Sequence, residues 1–265
     1  MKKTFAAAGV LLAVSLGASA AEPYRTYDNF SAGPIDANRW LNTERVLEIQ
    51  RGSLRLKQRT FGSPASDSGA TFSSWNDNLV NPTLITQIKA KITVDAIEVP
   101  ACPVNTTPGQ ARARIIGGFF NVGVPTPGSQ VGDVIAQVRL TRLSNSADPA
   151  GVLRVQGLAS LCTNADCSAA TTIGNIVELG KVSVGQATTV QMQWDQPAKT
   201  FTFARDNGAA SGAVAYTESD FNPAGLAFRQ LSTRLDLPNC LTSPRVSGVV
   251  DARFDNVQVN ASAAP

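Results

Sequence analysis

The sequence predicts an all-β chain folded as one domain of two packed antiparallel sheets. Three observations carry that prediction. Apolar and polar residues alternate with a period of two in several separate stretches, which gives each strand one buried and one wet face. Clusters of Gly, Pro, Ser, Asn and Asp punctuate these stretches at short intervals. No long stretch shows clean helical periodicity. At 265 residues the chain suits a single sandwich domain, and no linker or internal repeat divides it.

The elements follow in order. Met1-Lys2-Lys3 supplies a positive start, an apolar run extends from Phe5 to Leu16, and Ala18 and Ala20 form a small-x-small pattern. Residues 1–20 therefore read as a secretory signal peptide cleaved after Ala20, leaving a domain over residues 21–265 in the periplasm or outside the cell. The apolar run is shorter than the roughly 20 residues a membrane span needs, and no later segment is long enough. Strand alternation then appears in "TQIKAKITV", with Ile88, Ala90, Ile92 and Val94 on one face. It recurs in "VIAQVRLTRL" with Val134, Ala136, Val138 and Leu140, and in "TVQMQW" with Val190, Met192 and Trp194. "TFTF" adds Phe201 and Phe203. The turn clusters between strands include "GSPASDSG", "VPTPGSQVGD", "SNSADPAG", "DQPAK" and "RDNGAASG".

Composition excludes several chemistries. The chain contains no histidine, which removes Ser-His-Asp and Cys-His catalysis and histidine-ligated metals. The formal charge of +3 falls to +1 once Lys2 and Lys3 leave with the signal peptide. No run of basic residues marks a nucleic-acid-binding surface. The four cysteines favour disulfides in an exported chain. Cys162 and Cys167 flank the turn-like "TNAD" and are expected to clasp it, which leaves Cys102 and Cys240 to join two distant Pro-bounded loops.

Candidate ligand residues come from the polar faces. Gln87, Lys89, Arg112, Arg114, Gln137, Arg139, Gln191 and Gln193 are expected to pave one sheet, where amides and guanidiniums suit glycan hydroxyls or carboxylates. Arg139, Gln191 and Gln193 are taken from this group. Trp75, in the Ser/Asn/Asp-rich "FSSWNDN", is read as a loop indole able to stack on a sugar ring.

Three segments carry a resemblance. "YDNFSAGPIDANRW" (27–40) with "RGSLRLKQR" (51–59), the hairpin "VSVGQATTVQMQWDQPAKTFTFARDNG" (182–208), and the closing "VDARFDNVQVN" together resemble the concanavalin A-like lectin and glucanase jelly rolls. The resemblance implies a jelly-roll sandwich whose last strand lies beside the first, and it assigns Trp40 to packing the N-terminal strand. Folds of this kind host lectins, laminin-G-like modules and glycoside hydrolases, so the fold alone does not choose an activity. The hydrolases' E-x-D-x-E and E-x-D-x-x-E patterns are absent. The nearest carboxylate pairs are Glu218 with Asp220 in a turn-like segment, and Asp251 with Asp255. The latter two stand about 13 Å apart along a strand, beyond the roughly 5–9.5 Å that glycosidases use. Lyases of the same fold lean on a Tyr with a His or Gln and an Arg nearby. Tyr24, Tyr27 and Tyr216 are present, but none sits in a recognisable lyase motif.

The resemblance further implies a structural calcium held by Asp255, the Gly52 carbonyl and the neighbourhood of Asp28. Its alternative is that Asp255 accepts backbone N–H bonds. Asp255-Asn256 also interrupts the apolar phase between Phe254 and Val257, which predicts a β-bulge that turns Asp255 toward the first strand. The reading as a whole is an exported, non-catalytic carbohydrate-binding or cell-surface-associated protein, with a polysaccharide or glycan as partner. Its alternatives are a divergent polysaccharide-degrading enzyme, either glycoside hydrolase or lyase, and a protein-binding adhesion module.

Overall fold

The computed structural model describes residues 44–241 and 245–264. The signal-peptide segment, the 27–40 stretch, Trp40, Asp28, Tyr24 and Tyr27 lie outside the described residues.

Thirteen strands are described, and they divide into two antiparallel sheets that make a β-sandwich jelly roll. The seven-stranded sheet runs β1 (Glu44–Gln50), β2 (Ser53–Phe61), β13 (Ser247–Val259), β4 (Gln87–Glu98), β9 (Ala187–Asp195), β10 (Thr200–Arg205) and β11 (Ala210–Ala215). The six-stranded sheet runs β3 (Ala70–Asn78), β12 (Asn222–Pro238), β5 (Gln110–Asn121), β6 (Asp133–Leu143), β7 (Val152–Cys162) and β8 (Ala170–Ser183). The expected hairpin over 182–208 is β9–β10, with Trp194 opposite Phe201 and Met192 opposite Phe203. The closing strand lies between β2 and β4.

Alternation explains the core directly. Ile88, Ala90, Ile92 and Val94 of β4, Val134, Ala136, Val138 and Leu140 of β6, and Phe201 and Phe203 of β10 all face inward and are buried. Gly157 on β7 is required by that packing, because a Cβ there would collide with the ring of Phe203. A cation also enters the core. Arg229 of β12 lies 3.7 Å from the Phe119 ring centroid, and its Nε and Nη1 donate to the carbonyls of Ile85, Gly118 and Phe228. Burial lowers its titration to about 9.

Both expected disulfides are present, Cys162–Cys167 with Cα atoms 4.9 Å apart and Cys102–Cys240 at 5.8 Å. The expected bulge is present too. Asp255 pairs with Lys91 and Gln258 with Lys89, so Asn256 and Val257 together face the single intervening residue of β4. Asn256 takes a φ of 49°, a left-handed conformation that Asn tolerates better than most residues. The bulge brings Asp255 to Lys91 on β4, and the N-terminal segment toward which it was expected to turn lies outside the described residues.

Candidate functional site

The eight polar residues expected to share one face are split between the two outer faces of the sandwich. Gln87, Lys89, Gln191 and Gln193 lie on β4 and β9 in the seven-stranded sheet, whereas Arg112, Arg114, Gln137 and Arg139 lie on β5 and β6 in the six-stranded sheet. Period-two alternation tells which residues share a face of one strand, but long-range pairing decides which sheet that strand joins. Gln191 lines a small cavity of about 210 Å³ beside the bulge, with Lys89 and Gln258. Gln193 pairs across from Gln87. Neither meets Arg139.

Trp75 is also corrected. It lies within strand β3 opposite Thr233, not in a loop, and its ring packs against the central core. Its Nε1 donates to the Val46 carbonyl at 2.9 Å, and the Arg45 guanidinium lies 5.2 Å from the ring. The residues of β3 that share the outer face are instead Phe72, Ser74 and Asn76, of which Phe72 is the exposed aromatic.

That outer face concentrates the chemistry. Cross-strand register sets Arg234 of β12 beside Arg112 of β5, and Ser232 beside Arg114. Arg114 in turn lies opposite Arg139 of β6, which lies opposite Gln156 of β7. Four guanidiniums thus line one cavity of about 390 Å³, together with the Asp236 carboxylate. Arg112 and Arg114 are buried although they point away from the core, because the side chains of this face pack laterally on one another. The turn closed by Cys162–Cys167 supplies a wall through Cys167 and Ser168.

The four cations divide into two kinds. Asp236 bridges Arg112 Nη2 and Arg234 Nε, the latter at 2.8 Å, while the Arg234 guanidinium also stacks 4.5 Å from the Phe72 ring centroid. Arg114 and Arg139 have neutral partners. Arg114 donates to Ser232 Oγ (3.3 Å) and Gln137 Oε1 (3.0 Å), and Arg139 donates from Nε and Nη2 to Gln156 Oε1. Glu178 makes no hydrogen bond to Arg139; it accepts from the Nε2 of that amide at 2.7 Å, and its charge partly offsets the burial of Arg139. Burial, reinforced by the neighbouring guanidiniums, pushes Arg112 and Arg114 well below the ordinary arginine range. Burial lowers Arg139 to about 10. Arg112 Nε is buried without a partner.

Like charges placed directly opposite on neighbouring strands are unfavourable, and desolvating them adds to the cost. An anion held between Arg114 and Arg139 relieves both terms. A planar carboxylate matches the guanidinium fork and accepts two parallel bonds. The site is therefore suited to bind an acidic group.

The carboxylates and tyrosine considered from sequence lie elsewhere. Tyr216 is buried in the aromatic cluster of Phe120, Trp194 and Phe201. It accepts from Trp194 Nε1 (2.8 Å) and donates to Asp220 Oδ2 (2.7 Å), and burial pushes its phenol well above the ordinary range. Asp220 is consumed by that bond, and Glu218 accepts from the Thr217 amide. Asp251 is held in a two-point pair by Arg55. Among the described residues, no tyrosine lines the arginine cavity.

The residues expected to hold calcium are also placed. Gly52 sits in the β1–β2 turn with φ 78°. Asp255 Oδ2 receives Lys91 Nζ at 3.2 Å, and Oδ1 accepts Asn256 N at 2.8 Å. The described donors are thus one carbonyl and one carboxylate already paired with an ammonium, against the six to eight oxygens calcium takes. The third expected neighbourhood, around Asp28, lies outside the described residues.

Arg234, Asp236, Phe72, Asn76 and Gln156 were missed from sequence. The signal was present in "STRLDLP", where Arg234 and Asp236 alternate with Leu235 and Leu237. What joins them to Arg112 is the β12–β5 pairing across more than a hundred residues.

No protein-family model matches the chain, and no curated relative matches it. Solved structures are similar at low identity. A family 7 alginate lyase in complex with substrate is 14% identical, over 86% of this chain and 87% of that one, with a TM-score of 0.44. An alginate lyase from an Alteromonas species is 8% identical, over 81% and 82%, with a TM-score of 0.37. A legume lectin-like domain from Entamoeba histolytica is 8% identical, over 85% and 93%, with a TM-score of 0.35. At such scores these likenesses carry no argument about activity, which rests on the arginine face.

Proposed function

We propose that this is an exported, non-catalytic binding protein for acidic polysaccharide, and that the ligand lies on the outer face of the six-stranded sheet. One observation carries the reading: Arg114 and Arg139 stand directly opposite each other, recessed, with only neutral hydrogen-bond acceptors in contact. A pair left in that state is a site built for an anion from outside the chain. Glycan fits better than nucleic acid because the cations are sunk in a cavity edged by an exposed aromatic ring and amides, not spread as a basic stripe. Two disulfides agree with an oxidising compartment.

The test is a panel of acidic and neutral polysaccharides, with single-stranded DNA as a competing polyanion. Retention and the release of reducing or unsaturated ends are scored together. The reading expects retention of acidic glycans, weakened by salt, without release. Release of unsaturated ends would replace it with a lyase, and equal retention of DNA would make the face a general polyanion surface. No retention of any acidic glycan would remove the reading.

A further inference from the structure

The arginine cavity has a neighbour on each side, and the three differ in chemistry. On the β3 side, a cavity of about 240 Å³ shares Arg114, Arg234 and Phe72 with the centre. Its own polar groups are Ser74, Asn76, Gln130 and Gln230, and the charge it adds is the Asp166 carboxylate. Asn76 Oδ1 there is a buried acceptor without a partner, a position that a hydroxyl donor satisfies and a carboxylate does not. On the β7 side, a cavity of about 400 Å³ shares only Arg139 with the centre. Its further cation, Arg154, is already paired with Asp148 at 2.8 Å. Amides and hydroxyls of Gln110, Asn145, Gln156, Thr141 and Ser146 make up the rest of its polar surface. The two cations without a carboxylate partner, Arg114 and Arg139, thus face each other across the middle and each borders only one flank, while the groups peculiar to the flanks are mainly amides and hydroxyls.

Building on the acidic-polysaccharide reading, we infer that the ligand is a heteroglycan in which an acidic sugar is flanked by neutral sugars. The acidic unit sits between Arg114 and Arg139. A neutral unit sits against Asn76 and Phe72 on one side, and another against Gln110 and Asn145 on the other. Asp166 enforces the order at the first flank, because it repels a second carboxylate at that position. It is carried there by the turn that the Cys162–Cys167 bond closes, where its Oδ1 holds Ser168 N and Oγ at 3.1 and 2.8 Å.

Isothermal titration of the full exported chain tests this with three linear glycans of matched length: a homopolyuronate, an alternating uronate–neutral heteroglycan, and a neutral homoglycan. One like-charge contact at an exposed rim changes an affinity by about fivefold. The alternating glycan is expected to bind at least that much more tightly than the homopolyuronate. Asp166→Asn, which keeps an oxygen for Ser168, is expected to narrow the gap by improving the homopolyuronate alone. Homopolyuronate binding as tightly as the alternating glycan, or a gap that Asp166→Asn leaves unchanged, overturns the inference while leaving the acidic-glycan reading intact. Failure of both acidic glycans to bind overturns the two together, and equal binding of the neutral homoglycan does the same.

Discussion

Replacing Arg139 by glutamine should move stability and affinity in opposite directions. The Arg139 guanidinium titrates at about 10 in the folded chain, well below the ordinary arginine range, and the main cause is burial. At about 1.4 kcal/mol per unit, keeping it charged costs the folded state on the order of 3 kcal/mol. Arg139→Gln removes that cost and gives up the charge-assisted bonds to Gln156, on the order of 2 kcal/mol. The ligand-free variant should therefore be more stable by about 1 kcal/mol, a Tm increase of roughly 2–4 °C for a chain of this size.

The pH dependence follows from the direction of the shift. A cation whose titration is depressed on folding destabilises the native state at every pH below its folded value, and that cost disappears as the group loses its proton. The stability gap between variant and wild type should thus hold at neutral pH and begin to close as pH rises above about 10. Affinity should fall instead. Truncating one arm of a recessed guanidinium–carboxylate contact costs about 2 kcal/mol, or roughly thirtyfold in Kd. Calorimetry on both proteins, with and without an acidic glycan, reads the two quantities. An Arg139→Gln protein that is less stable by 1 kcal/mol or more, with unchanged affinity, would refute the reasoning and make Arg139 a structural residue.

Two further outcomes are expected. Lys181 and Arg154 hold Asp148 near 2, well below the ordinary carboxylate range, so its contribution to stability is present above the unfolded value and lost as pH falls toward 2. Asp148→Asn should accordingly melt below wild type at pH 7 and match it near pH 2 in a thermal scan. At the bulge, Asp255→Ala breaks a half-exposed pair with Lys91 and should cost less than about 1 kcal/mol, equally with calcium or chelator present. A calcium-dependent Tm in wild type that vanishes in Asp255→Ala would instead place a metal at that position.

The inward halves of the strands were readable from sequence because burial acts locally and with a strict period. Ile92, Val138, Met192 and Phe203 are all where alternation puts them. The bulge was readable for the same reason, as a break in that period at Asp255-Asn256. The binding face was only half readable. Arg112, Arg114 and Arg139 stood out as polar members of alternating strands, but so did Gln191 and Gln193, which belong to the opposite side of the molecule. The Ser/Asn/Asp-rich neighbours of Trp75 suggest a loop, whereas β12 pairs with the segment as an edge strand and the indole turns inward. Arg234 and Asp236 reach the site only through that same β12, which pairs with β3 on one side and β5 on the other. Such pairings are set by the whole chain, and no short window of sequence contains them.

The opposite face of the sandwich provides an internal comparison that isolates what makes the arginine cavity unusual. There, too, two arginines face each other directly across neighbouring strands: Arg55 of β2 is the register partner of Arg253 of β13. Their surroundings differ. Arg55 grips Asp251 with two bonds of 2.9 and 2.6 Å and Glu48 with a third, and Arg253 grips Asp95 at 2.6 and 2.7 Å. Those carboxylates raise both guanidiniums above the ordinary range, whereas burial lowers Arg114 and Arg139. The fold is evidently able to place carboxylates opposite a cross-strand arginine pair, and it does so on one sheet. On the other sheet the equivalent places are filled by Ser232, Gln137 and Gln156, which hold the guanidiniums in position without neutralising them. A pair that is oriented but left charged gains stability only when an anion arrives. Charge count alone does not separate the two faces; the identity of the partners does, and it selects the six-stranded sheet.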